Sequence, residues 1–146
     1  MKRTYIILLV VLVIVAIGWY GYSEYNRTNE DLLKKKPAYS MQAAELIAAF
    51  EKDTASANRK FTDKVIQVSG TVKSLDTNGN PVVIALGDPG QMSSVQCSMD
   101  SSHAEGYRKI REGDHVTLKG MCTGGKTEEM FGTDVILNRS VALTDK

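Results

Sequence analysis

The stretch VIQVSGTVKSL, residues 65–75, decides the fold. In it Ile66, Val68, Gly70 and Val72 alternate with Gln67, Ser69, Thr71 and Lys73, the period-two pattern of a strand with one face in a core. Asn78-Gly79-Asn80 marks a turn before PVVIAL (81–86), and Gly87-Asp88-Pro89-Gly90 marks a second before SSVQCSM (93–99). Residues 102–111 read as a short helix with Ala104, Tyr107 and Ile110 on one side. Glu112-Gly113-Asp114 turns the chain into HVTLKGMC (115–122), a Gly- and charge-rich loop runs from Thr123 to Thr133, and DVILNRSVAL (134–143) is the last strand.

Five short strands with a helix between the third and fourth have the order of an OB-fold Greek-key barrel. Gly70 and Gly120 each interrupt a good strand, as a coiled barrel strand requires where it bulges or bends. An SH3-like barrel and a small sandwich are the alternatives. Upstream, Ala43, Leu46, Ile47, Phe50, Thr54, Ala57 and Phe61 recur at three- and four-residue steps. They predict one amphipathic helix of about five turns, N-capped by Ser40, packing its stripe on the strands. The fold class expected is therefore mainly β with helices.

The first 22 residues are of another kind. Lys2 and Arg3 precede an uncharged stretch from Thr4 to Tyr22, with Tyr5 near one end and Trp19, Tyr20 and Tyr22 at the other. As a helix it reaches about 28 Å, close to the roughly 30 Å hydrocarbon core of a bilayer. The aromatic residues fit the headgroup level, and the basic tail predicts that residues 1–3 stay inside and the rest crosses. An uncleaved transmembrane anchor over residues 1–22 is preferred to a cleaved signal ending near Ala16-Ile17-Gly18. Residues 23–40, polar and carrying Lys34-Lys35-Lys36 and Pro37, read as a linker. Residues 41–146 form the domain with its leading helix.

The whole chain has 146 residues, 18 Lys or Arg against 17 Asp or Glu, and two cysteines. This excludes a multi-span transporter, a disulfide-dense miniprotein, a strongly basic nucleic-acid binder and a large two-domain enzyme.

The segments AAELIAAFEKDTASANRKF, KVIQVSGTVKSL, VQCSMD, REGDHVTLKGMCTG and DVILNRSV together resemble the bacterial tRNA-anticodon-like OB-fold family over residues 41–143. VQCSMD and KGMCTG are the more specific pieces. The resemblance implies an OB barrel, an envelope location and no assigned reaction, and it does not carry tRNA binding across. Members often have a further cysteine in the last strand, where this chain has Ser140.

Cys97 shares parity with Val95 and Met99, and Cys122 with Val116 and Leu118, so both point inward. Outside the cytoplasm a Cys97–Cys122 bridge would stabilise the fold by roughly 3.5 kcal/mol; two buried reduced thiols are the open alternative. Neither these nor His103 and His115 show paired metal-ligand spacing, so no metal and no cofactor is expected. Asp100, Ser101, Ser102 and His103 hold a base and hydroxyls, yet no nucleophile motif frames them, and Asp100 or Ser101 reads as a helix cap. From residue 64 to 146 there are nine Lys or Arg and ten Asp or Glu, and the aromatic residues are Tyr107 and Phe131. A single-strand binder needs a basic groove with stacking platforms, so nucleic acid is not the expected partner.

OB domains bind ligands on the second and third strands and the loops beside them. Here that surface is Asp76–Asn80, Gln96, Ser98 and Gly124–Phe131, with Lys126, Met130 and Phe131 as adhesive groups, although Met130 and Phe131 are expected to cover a barrel end. The function expected is a non-catalytic OB-fold interaction module. It is anchored in the inner membrane with its C-terminal domain extracytoplasmic, and binds an envelope protein, a glycan or a small ligand. The alternative is a single-strand nucleic-acid binder facing the cytoplasm.

Overall fold

A computed structural model describes residues 2–25 and 31–143, with side chains in the first helix at Tyr5 and at residues 10–22. Two compact units divide between Glu30 and Asp31. In the first, α1 runs from Lys2 to Tyr25, and all its described side chains are exposed. Among the described residues no helix is long and apolar enough to cross a membrane. The expected span from Thr4 to Tyr22 therefore rests on sequence alone.

The second unit contains β1 (Tyr39–Gln42), α2 (Ala43–Lys52), α3 (Thr54–Phe61), β2 (Val65–Asp76), β3 (Val83–Leu86), β4 (Ser94–Met99), α4 (Ala104–Tyr107), β5 (His115–Glu128) and β6 (Gly132–Leu143). The strands are ordered β1-β2-β3-β4-β6-β5, and β5 pairs again with β2. That second pairing, Val65↔Met121 through Thr71↔His115, closes five strands into a barrel. β4 and β6 are parallel and the other barrel pairs antiparallel, the Greek-key topology of an OB-fold rather than of an SH3-like barrel or a sandwich. Alternation places Val68, Val72, Ile84, Leu86, Val95, Leu118, Val135 and Leu137 inside, all but fully buried. α2 touches β1, β2, β4, β5 and β6 and delivers Leu46 and Phe50 into the same core.

The two mid-strand glycines serve different contacts. A Cβ on Gly70 would lie 2.9 Å from the Ala43 Cβ, so this position lets α2 approach the barrel. Gly120 faces a bulge in β6: Lys119 pairs with Val141 and Met121 with Asn138, leaving Arg139 and Ser140 opposite one residue. Arg139 takes φ 53°, and the Ser140 hydroxyl fills the space beside Gly120.

Several expectations are corrected. Ser40 is no helix cap; it lies in β1, which pairs in parallel with Ile66–Ser69 of β2. Helix α2 is capped two residues later, at Gln42, with the Glu45 carboxylate accepting the Gln42 N–H at 3.0 Å. The single five-turn helix is two, because Asp53 is extended (φ −160°, ψ 92°) and its carboxylate caps α3 by accepting the Ser56 N–H at 3.0 Å and hydroxyl at 2.6 Å. The helix over 102–111 shrinks to a 3-10 turn (Ser101–His103) and one turn of α4. The loop from Thr123 to Thr133 is mostly strand, reduced to the turn Glu129–Phe131.

The linker is also shorter than expected. Residues 26–30 lie outside the described residues, while from Asp31 the chain is strapped to the barrel. Leu32 is 2% exposed and packs on Val65 and Val141, on the outer side of the barrel. Lys119, 5% exposed, donates from Nζ to the carbonyls of Leu33 at 2.9 Å and Lys35 at 3.0 Å. His103 Nε2 lies 3.4 Å from Asp31 Oδ1, and Ala38 N–H bonds to Val65 O at 2.7 Å.

Candidate functional site

The alternation that buries Val95 and Cys97 turns Gln96 outward on β4, and the same parity puts Ala85 and Val83 beside it on β3. The bulge of β2 between Val72 and Ser74 swings Lys73 and Ser74 over this surface. These residues, with Asp76, Met92, Ser94 and Asp134, line a groove of about 440 Å³. Ser94 Oγ donates to Asp134 Oδ1 at 2.8 Å, and Lys73 Nζ donates to the carbonyls of Gln91 and Met92. No aromatic side chain lines it, and its one cation is already engaged by main chain.

Among the expected binding residues, Gln96 lines the groove, whereas Ser98 lies further along β4, half-buried opposite Val83. Lys126 on β5 pairs across with Asp134 of β6, and its Nζ is 3.6 Å from Glu128. Met130 and Phe131 do not cover a barrel end: they stand 78% and 67% exposed on the β5–β6 turn. The buried aromatic against β5 is instead Phe50 from α2, its ring 2.9 Å from where a Cβ on Gly125 would lie. Sequence reading missed Lys73, Met92 and Asp134. Outward parity marked Lys73, but nothing local marked the bulge or brought Met92 to Asp134.

The expected Cys97–Cys122 bridge is absent, and both cysteines are free and buried. Each pairs across the sheet with Leu137, Cys97 from β4 and Cys122 from β5. Two strand spacings of about 4.8 Å therefore separate them, beyond the roughly 7 Å limit for a disulfide. Burial pushes the Cys97 thiol up to about 12, opposed by a hydrogen bond with Ser140, and burial also raises Cys122. Such thiols are poor nucleophiles at neutral pH.

Asp100 acts as a cap, accepting the Ser102 N–H at 2.9 Å, and that bond lowers its pKa. His103 faces Asp31 of the strap rather than any serine in a nucleophilic arrangement. His115 is exposed beside a second hollow of about 460 Å³ near the start of α2. Among the described residues no group of three His, Cys, Asp or Glu side chains could hold a metal ion.

The tRNA_anti-like family matches residues 1–140. The chain belongs to the tRNA_anti-like family. Among solved structures, the tRNA_anti-like chain is similar to a lipoprotein of Klebsiella pneumoniae subsp. pneumoniae MGH 78578 whose name provisionally calls it nucleic acid-binding. Identity is 12%, the TM-score 0.56, and the match covers 71% of this chain and 91% of the other. It is also similar to a provisionally named aspartyl-tRNA synthetase from Leishmania major Friedlin, with 12% identity, TM-score 0.46 and coverage of 83% and 23%. An OBody bound to hen egg-white lysozyme matches with 16% identity, TM-score 0.44 and coverage of 64% and 93%. No curated protein matches the chain. The first of these likenesses carries the OB fold, a scaffold that hosts many functions.

Proposed function

We propose that this chain is a non-catalytic OB-fold interaction module held at a bacterial inner membrane by α1, with the barrel on the extracytoplasmic side. Its binding surface is the groove across β2, β3 and β4 with the neighbouring turns, and its partner is a protein, a glycan or a small ligand rather than a nucleic acid.

The groove itself carries the reading. Single-stranded nucleic acid needs cations along its backbone and aromatic faces for its bases. The groove presents Asp76 and Asp134, no aromatic ring, and a lysine whose ammonium is bound to the carbonyls of Gln91 and Met92. The nucleic-acid role in the Klebsiella lipoprotein's name is therefore not extended to this chain. With Ser94 Oγ bound to Asp134 and the Lys73 ammonium bound to main-chain carbonyls, the groove supports a binding role over a reaction.

Membrane attachment is supported by the uncharged stretch Thr4–Tyr22 and by the exposure of every described side chain in α1. Lys2 and Arg3 favour the orientation with the barrel outside. Two measurements test the reading: a reporter fused after Lys146, and anisotropy of a labelled oligothymidine with the full chain. Extracytoplasmic reporter activity and no salt-sensitive oligonucleotide binding are expected. A cytoplasm-only reporter or salt-sensitive binding overturns it.

A further inference from the structure

Among the described residues outside α1, the exposed large hydrophobic side chains are Leu33, Met92, Met130 and Phe131. The last three share one end of the barrel. Met130 and Phe131 form the β5–β6 turn, and Gly132 lies so close to the Met92–Ser93 backbone that a Cβ there would meet Ser93 N at 2.9 Å. Exposed hydrophobic side chains scattered singly need no explanation, but three gathered on one rim mark an interaction site.

The rim is held in shape. Thr54 Oγ1 donates to Thr127 Oγ1 at 3.0 Å, and Thr127 Oγ1 shares a 2.9 Å hydrogen bond with Thr133 Oγ1. Ser93 Oγ accepts from Thr133 N–H at 3.0 Å and donates to Glu51 Oε1 at 2.9 Å. Both strand ends that flank the turn are thus tied to α2, α3 and the β3–β4 loop, so little order is lost when a partner covers it.

Its electrostatic character is acidic. The groove beside Met92 carries Asp76 and Asp134, the turn carries Glu128 and Glu129, and Glu51 joins through Ser93. Lys73, which keeps its charge while bound to main-chain carbonyls, and Lys126, paired with Glu128, offset only two of these five carboxylates.

We infer that this end of the barrel docks a protein segment carrying lysine or arginine beside an apolar side chain. The inference rests on the groove being the binding surface. A basic side chain laid in the groove meets Asp76 and Asp134, while its apolar neighbour covers Met92, Met130 and Phe131. A phosphate-bearing partner is repelled by the same carboxylates, which favours protein over nucleic acid or anionic lipid.

The test uses the full chain in phosphatidylcholine nanodiscs, with empty nanodiscs subtracted. The probes are a short labelled peptide of alternating lysine and valine, the same peptide with glutamate for lysine, and labelled oligothymidine. The lysine peptide is expected to bind and the other two are not. M130S/F131S and D134N/E128Q are each expected to weaken the peptide at least about thirtyfold, the size of an interface hot spot. E105Q, on α4, is expected to leave binding unchanged, as a general attraction between acid and base would not. Tip variants that bind as well as the unaltered chain overturn the inference. So does binding of the glutamate peptide, docking on phosphatidylglycerol discs, or self-association that M130S/F131S abolishes. A silent peptide with silent oligothymidine overturns only this inference; oligothymidine binding overturns the groove reading as well.

Discussion

Lys119→Met isolates the contribution of the strap. The substitution keeps most of the buried alkyl stem and removes the ammonium that holds the carbonyls of Leu33 and Lys35. Hydrogen bonds to a charged donor contribute about 1.5–3 kcal/mol each net. Loss of even one therefore shifts the closed strap toward open by about tenfold or more, and loss of both by more than a hundredfold. Opening also frees residues from Asp31 onward, at about 1–2 kcal/mol per residue of backbone entropy, in both proteins alike. Trypsin reads this out on the full chain in detergent, because the strap contains Lys34 and Lys35, while Lys36 is protected by Pro37. With opening and closing faster than cleavage, the rate follows the open population. The variant is expected to be cut in the strap at least about tenfold faster, with cuts inside the barrel as slow as before. Equal strap cleavage in both proteins would show that Lys119 does not hold it, and would refute the reasoning.

Three further outcomes follow from the packing. Gly70→Ala places a methyl 2.9 Å from the Ala43 Cβ and pushes α2 off the barrel, so the urea midpoint is expected to fall by the equivalent of about 1–3 kcal/mol. Cys97 has a thiol raised from 9.0 to about 12 in the folded barrel, so its stabilisation is complete below pH 9 and is lost as pH rises toward 12. Relative to Cys97→Ala, unfolding free energy is expected to decline more steeply over that window, by up to about 1.4 kcal/mol per pH unit; parallel curves would contradict the buried neutral thiol. Thr127→Val breaks the hydroxyl chain between Thr54 and Thr133 and is expected to cost about 1 kcal/mol in denaturant titration, with Met130→Ser within about 0.5 kcal/mol of the parent.

The barrel was legible in the sequence because each of its strands carries its own alternation. VIQVSGTVKSL shows its inner and outer faces without help, and its observed span, Val65–Asp76, extends the reading by one residue. What failed were elements whose stability comes from elsewhere. β1 has only four residues and exists because β2 offers an edge. Gly124 and Gly125 looked like loop because of composition, yet Gly125 is small so that Phe50 can lie against it. The helix break at Asp53 had a local signal, an acidic residue three before Ser56, but the apolar stripe ran across it unbroken. Lys119 has outward parity on β5, and only the strap passing over it makes it a buried clamp. The same limit governed the site. Gln96 came from strand parity and Lys126 from the composition of a stretch read as loop, whereas the meeting of Met92 with the β5–β6 turn depends on contacts between segments far apart in sequence.

The seam between β2 and β5 has a consequence for how the molecule is made. Its partners, such as Val65 and Met121, are about fifty residues apart, and β6 must then bridge β4 and β5 before the ring is complete. Contacts of such long range are slow to form, because chain entropy is lost before they reward it. A nascent chain that has not yet delivered Gly132–Leu143 holds β4 and β5 with unpaired lateral edges, the kind that recruit strands from other molecules. The period of greatest hazard for this protein is therefore its synthesis, and the last dozen residues of the barrel are the ones that end it.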